Sequence, residues 1–465
     1  MPGVQKRYVR RDRSWRTTLP RLIRPKPGGL SITTLIYGFL AIIAIGTLLL
    51  SLSVSNVTGE FISPIDALFT STSSVCVTGL VVVDTGTFWT PFGQAVILVL
   101  IQVGGFGFMT STTLLFLVFG WKIGLRERML IGESIGLDRI GGIVGLIKKI
   151  AIFTIVIETV GAVIFCIRFS QSMPFGTALW RAVFHSVSAF NNAGFDIFGN
   201  FRSMIDFQSD ALVVLVTAAL VIIGGISFVV YRNIYIVRRF KRLALDTKIV
   251  IVTTLSLLFV GTVVMLLTES FNDATLGTLP TSQKILNAFF MSVTPRTAGF
   301  TTVQIGDMAD YALFFTMVLM FIGGASGSTA GGIKVNTFGM LTATLFSSLR
   351  WKAQVGAFGR EFPARLVHKA MTLVMLALGY IVIVVLILTM TEDITFLQAF
   401  FETVSAFGTV GLSTGITPEL STAGRLVITV TMFVGRMGPL TLALSLMKHN
   451  HTIKYRYPQE SVRIG

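Results

Sequence analysis

Apolar runs close to twenty residues long recur along this chain, and Lys and Arg gather in short stretches between them. A helical run of that length matches the thickness of a bilayer's hydrocarbon core. Lipid offers no partner to backbone N–H and C=O groups, so such runs are helices or strands of a closed barrel. Their length favours helices, and the fold class expected is an all-α polytopic membrane protein. Composition agrees: hydrophobic residues make up 52% of the 465 and charged residues only 13%, where soluble domains carry roughly 25% charged.

The formal charge of +16 would suit a nucleic-acid partner, but its distribution excludes one. Basic residues flank apolar spans, the pattern that sets membrane orientation. Residues 1–29 hold Lys6, Arg7, Arg10, Arg11, Arg13, Arg16, Arg21, Arg24 and Lys26. They lack a cleavable signal pattern and are read as a basic cytoplasmic arm touching anionic lipid headgroups. Cys76 and Cys166 are far apart in apolar surroundings, so neither a metal spacing nor a disulfide framework is expected.

Between the basic stretches one succession recurs: a full span, a half-length apolar helix, a glycine-containing turn and a second span. Unit 1 (residues 30–121) has spans near 30–54 and 92–119 around a short helix opened by Ser63-Pro64, with Pro at the first helical position. Unit 2 (145–240) has spans 150–169 and 211–230 around 176–190. Unit 3 (247–350) has span 249–267, half-helix 281–293 after Pro280, and a helix from Tyr311. Unit 4 (366–447) has spans 371–390 and 424–447 around 394–407, and residues 448–465 form a short basic tail. A segment of about 13 residues is too short to cross and reads as re-entrant. Two full spans per unit return the chain to its starting side. The positive-inside rule then places every basic cluster and both termini in the cytoplasm, and all four turns on the outer side. Eight full spans are expected in all.

The turns centre on Gly79, Gly194, Gly299 and Gly411, spaced 115, 105 and 112 residues apart. Glycine adopts backbone angles that other residues resist. Irregular backbone at membrane depth is tolerated only where protein buries it or water lines it. Four such turns around one axis meet that condition by enclosing a pore, with the half-helices pointing their partially negative carboxyl ends at it. That polarity favours a cation. A single glycine turn between helices would carry little meaning; the register of four carries the inference. The fourth reads Thr409-Val410-Gly411, the backbone of a potassium-channel selectivity filter, in which carbonyl oxygens replace the ion's water shell.

The stretches Val77-Thr78-Gly79-Leu80, Asn191-Asn192-Ala193-Gly194-Phe195, Thr294-Pro295-Arg296-Thr297-Ala298-Gly299-Phe300 and Phe407-Gly408-Thr409-Val410-Gly411-Leu412 are similar to the four filters of the Trk/Ktr/HKT superfamily of potassium transporters. The chain most resembles the Ktr-type bacterial membrane subunit, over about residues 30–457. The resemblance implies potassium-selective uptake, channel-like or sodium-dependent. Its ion-facing carbonyls would come from Val77, Thr78, Gly79, Asn192, Ala193, Gly194, Thr297, Ala298, Gly299, Thr409, Val410 and Gly411. Glycine at position 79 resembles the potassium-selective members. It also implies a homodimer in the bacterial plasma membrane, one pore per protomer. A separate cytosolic ring of RCK-type subunits would bind ATP, ADP or NAD, leaving no cofactor in this chain beyond its potassium, or sodium, cargo.

The helix from Tyr311 reaches only Ile322, about 18 Å at 1.5 Å per residue. Gly323, Gly324, Ala325, Ser326, Gly327, Ser328, Thr329, Ala330, Gly331 and Gly332 follow. This break is read either as close helix packing or as a flexible loop beneath the filter; the resemblance implies an intramembrane gate. Its Lys is not placed as in a phosphate-binding loop. Arg436 falls mid-way in 424–447, where a cation costs about 2.5–3.5 kcal/mol and so faces protein or water. Two roles are open to it, an electrostatic barrier on the ion path or an ion pair with mid-span Glu158.

Asp84, Asp196 and Glu402 lie near the turns, either drawing cations or propping the turns by hydrogen bonds. His185 is expected to be packed, and Arg296 to point away from the axis and pair with a carboxylate. Two other classes compete: a secondary transporter of another solute, which predicts inverted repeats, and a membrane-embedded enzyme. The enzyme would need a cluster of ionisable residues within the spans, where they are few and scattered.

Overall fold

The computed structural model of the chain describes residues 31–107, 143–350 and 355–438. The basic arm, the residues after Gly107 in the second span, the basic segment 108–142, Lys352, and everything from residue 439 on lie outside the described residues. The protein is helical. In chain order α1 is Ser31–Leu50, α2 Pro64–Cys76, α3 Pro91–Phe106, α4 Ile143–Phe169, α5 Phe175–Phe190, α6 Ala211–Gly225 and α7 Phe228–Val237. Then come α8 Leu245–Glu269, α9 Thr281–Val293, α10 Asp310–Phe321, α11 Val335–Leu349, α12 Ala364–Thr391, α13 Phe396–Gly408 and α14 Thr422–Met437. A two-residue hairpin, β1 Gly356–Ala357 against β2 Arg360–Glu361, joins α11 to α12.

The half-length helices expected from sequence are α2, α5, α9 and α13, each within two or three residues of its expected bounds. Local chemistry sets their starts. Pro64 opens α2, and α13 carries a reciprocal capping box between Thr395 and Gln398. Each packs against the long helix before it; α2, α5 and α13 also pack against the helix after, whereas α9 packs against α6.

Three helices, α4 (over Gly145–Phe169), α8 and α12, are long and apolar enough to cross a membrane, or four if α6 and α7 count as one span bent by 89°. Ile36–Leu50, Pro91–Phe106 and Asp310–Phe321 are shorter apolar helices. The expectation for 211–230 is corrected here, because the span stops at Gly225 and the chain turns. The helix expected over 424–447 ends at Met437, followed by Gly438 at φ 82°, and α3 ends at Gly107, φ 76°. Hydropathy does not register these breaks, since glycine is neutral on such scales yet permits a backbone no other residue adopts as readily.

Packing between the long and short helices repeats in detail. Ser71 Oγ donates to Ile43 O at 2.8 Å, Ser186 Oγ to Glu158 O at 2.7 Å and Ser292 Oγ to Leu258 O at 2.9 Å. Three residues beyond each acceptor is a glycine, and a Cβ on Gly46, Gly161 or Gly261 would collide with the same serine. The close approach of helices through small residues, with a hydroxyl as glue, is the packing mode expected in lipid. The second helices use glycine too: a Cβ on Gly104, Gly224 or Gly435 would strike the backbone carbonyl of Val75, Phe190 or Phe407, at the end of a half-length helix. A buried apolar cluster including Phe69, Met320, Phe401, Phe407 and Met432 fills the space around α2, α10, α13 and α14. The ion pair Arg425–Asp66, at 2.5 Å, ties α14 to the start of α2.

Substituting Gly161→Leu is expected to lower stability by about 1–3 kcal/mol through overpacking, and Ser186→Ala by only about 1 kcal/mol for the lost hydrogen bond. Thermal unfolding of the detergent-solubilised protein measures both.

Candidate functional site

The half-length helices end on turns of shared backbone shape. Val77, Asn192, Thr297 and Thr409 have φ of 56°, 58°, 67° and 51°, and two residues on, Gly79, Gly194, Gly299 and Gly411 have φ of 92°, 73°, 77° and 91°. Left-handed φ at a β-branched residue such as Val77 or Thr297 is a true outlier; surrounding structure must hold it there. The helix ends do so: Thr78 N donates to Ser73 O at 2.8 Å, Ala193 N to Ser188 O at 2.9 Å, Ala298 N to Thr294 O at 3.0 Å and Val410 N to Ser405 O at 2.9 Å. Hydroxyls of Ser188 and Thr294 bind the carbonyls of Phe195 and Phe300, just past two of the glycines.

The four glycines close a ring. A Cβ on Gly79 would lie 2.5 Å from Ala193 O and 2.9 Å from Gly194 Cα, and one on Gly194 3.0 Å from both Ala298 O and Gly299 Cα. On Gly299 it would lie 2.5 Å from Val410 O and 3.3 Å from Gly411 Cα; on Gly411, against Thr78 O and 3.0 Å from Gly79 Cα. Each turn therefore backs onto the next, and the last onto the first. All twelve residues predicted for the site lie in these turns, including the buried Thr78, Thr297 and Thr409. The hydroxyls of those three find no hydrogen-bond partner among the described residues.

Above the ring is an open cavity of about 270 Å³, lined by all four glycines together with Asp84, Asp196, Gln304 and Ser413. Asp84 is engaged in structure: it accepts from Thr87 N at 2.7 Å and from Phe201 N at 2.6 Å. Half-buried Asp196 accepts from Phe198 N at 3.1 Å. Burial pushes its carboxyl up to about 7; the Phe198 N–H opposes this and the negative charge of Asp84 adds to it. Glu402 is fully buried and accepts from the Thr417 hydroxyl, so it props the fourth turn and does not line the cavity.

Residues 323–332 lie against the other side of the ring. A Cβ on Gly331 would meet the Thr409 side chain, one on Gly332 would lie 3.3 Å from Gly408 O, and one on Gly323 3.4 Å from Thr297 Cγ2. The segment is fastened on several sides. Thr329 Oγ1 is 3.1 Å from Asn192 Oδ1 and 3.0 Å from Gly224 O, and Ala325 N donates to Gly225 O at 2.9 Å. Arg436 donates to Thr329 O and, at 2.5 Å, to Gly104 O, so it bridges the loop to α3.

The ion pair suggested between Arg436 and Glu158 is not formed: among the described residues Arg436 serves carbonyls, while Glu158 Oε1 accepts from Asn191 Nδ2 at 2.9 Å. Arg436 stands in the last turn of α14, and residues 439–447 of the expected span lie outside the described residues. Arg296, expected to pair with a carboxylate, instead reaches Thr254 O at 3.4 Å, and among the described residues it forms no ion pair. His185 is packed as expected, its Nε2 2.9 Å from Thr217 Oγ1 and its ring edge-on to Phe165 and Phe300. Lys334, weighed from sequence only as a phosphate-loop lysine, donates from Nζ to Ala330 O at 2.5 Å and Gly331 O at 3.3 Å. Its signal was a lone cation directly after the glycine-rich run. No group of three or more His, Cys, Asp or Glu among the described residues is placed to hold a metal ion.

Fold and site together define a multi-pass helical membrane transport protein. The family model described as TrkH, cation transport protein, matches residues 31–454, and the chain belongs to that family. It is 43% identical over 428 residues to the Ktr system potassium uptake protein B of Bacillus subtilis (strain 168), covering 92% of this chain and 95% of that protein. It is 39% identical over 434 residues to the potassium/sodium uptake protein NtpJ of Enterococcus hirae, covering 92% and 96%. The crystal structure of the potassium transporter TrkH from Vibrio parahaemolyticus superimposes with a TM-score of 0.71 at 21% identity, over 92% of this chain and 86% of that one, a likeness of fold. These relatives place the chain among transporters and not among enzymes.

As pH rises through about 7, Asp196 gains its charge and the cavity above the ring becomes more attractive to a cation. The half-saturating external cation concentration should therefore fall about twofold between pH 6 and pH 8, and Asp196→Asn should flatten that dependence in a radiotracer uptake assay.

Proposed function

We propose that this chain takes up potassium through a pore at the common centre of its four turns, with four span–half-helix–span units and eight spans surrounding it. The carbonyls of residues 77–79, 192–194, 297–299 and 409–411 replace the ion's water shell. The observation that carries this reading is the closed ring of glycines, each too close to the next turn to bear a side chain. Left-handed φ at the first and third positions of every turn supports it, as do the carboxyl ends of four half-length helices converging on the ring. The names of the relatives, potassium uptake protein B and potassium/sodium uptake protein, support potassium as cargo and sodium as coupling or competing ion.

On this reading residues 323–332 gate the pore from the inner side, and Arg436 both holds the gate and sets a positive barrier beneath the filter. Lys334 fastens the same loop beside it. The termini face the cytoplasm of a bacterial cell. A Ktr system by name implies more than one component, which supports a cytosolic RCK-type ring carrying ATP, ADP or NAD; a homodimer completes the assembly. A secondary transporter of another solute has less in its favour, because the four turns enter from one side and meet at one centre.

Gly79→Ser and Gly411→Ser place a Cβ where the neighbouring turn's carbonyl stands, so both should lose discrimination between potassium and sodium in reconstituted vesicles, by roughly tenfold or more. Unchanged discrimination in both variants would sink the filter assignment. Deleting residues 325–330, between the loop's anchoring glycines, should raise potassium flux with selectivity intact, whereas lower flux from a well-folded variant would make the loop a packing element.

A further inference from the structure

Arg296 stands in the third turn, only 8% exposed, and no carboxylate pairs with it among the described residues. Its guanidinium carries a fixed positive charge and five N–H donors. Among the described residues it makes one hydrogen bond, from Nη1 to Thr254 O at 3.4 Å, longer than the usual range. Nε is buried and has no partner there. Leaving a buried cation uncompensated is costly. Beside it lies a cavity of about 20 Å³, where the end of α6, Thr254 of α8, the third turn and Gly324 of the glycine-rich loop meet. The rest of the wall is mainly aliphatic, from Val221, Ile222 and Val293. About 10–15 Å³ suffices for one water-sized guest, so the space suits a single small ion and excludes a sulfate or a lipid phosphate. A cation is turned away by the guanidinium. Water would accept its N–H groups but leave its charge standing; a monovalent anion answers both.

We propose that this cavity binds one small monovalent anion of the halide class, chloride, between the Arg296 guanidinium and the Thr254 hydroxyl. Arg296 immediately precedes Thr297, whose φ of 67° belongs to the ring, and its own carbonyl is 3.5 Å from Asn192 Nδ2 of the second turn. The guanidinium alone opposes a cation in the ring, and a bound anion offsets that opposition. Chloride occupancy therefore raises the ring's affinity for potassium, a consequence that rests on the potassium-pore reading.

The test follows thermal unfolding of the detergent-solubilised full chain as chloride replaces gluconate, an anion too large for the cavity, at fixed cation, pH and ionic strength. Chloride should stabilise the wild type saturably. Arg296→Gln should abolish that response or raise the half-saturating chloride concentration roughly tenfold or more. Thr254→Val, which removes the hydroxyl and keeps the shape, should raise it about threefold or more and serves if Arg296→Gln does not fold. In reconstituted vesicles the same exchange of anions should lower the half-saturating potassium concentration of the wild type about twofold and leave that of Arg296→Gln unmoved. The proposal is overturned if the wild type unfolds alike in chloride and gluconate, the result for a cavity that holds water alone, or if the variants that fold keep the wild-type chloride curve. Stabilisation by sulfate equal to that by chloride would assign the effect to salt in general and equally overturn it. Chloride stabilisation of a wild type that carries no potassium would uphold the anion site and remove the transport reading, together with the consequence drawn from it.

Discussion

Backbone that is neither helix nor sheet can sit at membrane depth only when protein or water answers its polar groups. Here the answer is mutual. Each of four turns presses its glycine against the carbonyl of the next turn, so no one turn is stable in place without the other three. The same absence of Cβ operates one layer out, where Gly104, Gly224 and Gly435 let the second helices approach the ends of the half-length helices. Left-handed φ at Val77, Asn192, Thr297 and Thr409 costs of order 1–3 kcal/mol each, and this doubly packed collar is what holds it.

The fourth unit departs from that scheme in an informative way. Second helices end on Gly104-Gly105 and Gly224-Gly225, and the third on Gly323-Gly324, but the fourth ends on Gly435-Arg436. At the first and third places there is almost no room, since a Cβ on Gly105 would overlap the Asn191 side chain and one on Gly324 would lie 2.6 Å from Ala330 Cβ; on Gly225 it would make ordinary contact, 3.5 Å from Asn192 Nδ2. Arg436 stands where the other units carry a glycine, and its protons go to carbonyls of the loop and of α3. With Lys334 on Ala330 and Gly331, two cations hold three consecutive loop residues by their oxygens. Carbonyl partners suit this task, because they keep the charges local without neutralising them, as a carboxylate would.

Much of this was legible in the sequence, for a physical reason. Half-length apolar segments and glycine turns in register are local patterns, and they located α2, α5, α9, α13 and all twelve turn residues. Breaks were less legible. Gly225, Gly107 and Gly438 interrupt apolar stretches whose mean hydropathy stays high, so spans read as 211–230, 92–119 and 424–447 carry bends or ends inside them. Partner choice was the least legible. Glu158 and Arg436 are both ionisable and both read as mid-span, which makes a pair reasonable on paper. In the fold Glu158 accepts from the Asn191 amide and Arg436 donates to two backbone carbonyls. Arg296, too, finds Thr254 O and, among the described residues, no acid. Hydrogen bonding to neutral groups leaves no trace in composition, because every residue supplies a backbone carbonyl.

A ring drawn from one chain differs from a ring of identical subunits in that its four positions are free to diverge. The first residue of each turn is Val77, Asn192, Thr297 or Thr409, in similar backbone conformation. Their side chains have separate fates: Val77 packs in an apolar cluster, Asn192 takes the loop's Thr329 hydroxyl, and the hydroxyls of Thr297 and Thr409 are unpaired among the described residues. Among the described residues, only the second turn is hydrogen-bonded to the loop by a side chain of its own ring position; Thr297 and Thr409 meet it by packing alone. That is also the turn whose preceding residue, Asn191, reaches Glu158. A displacement of the loop would then be felt unequally around the ring, loosening one quadrant while the other three retain the backbone contacts that define it.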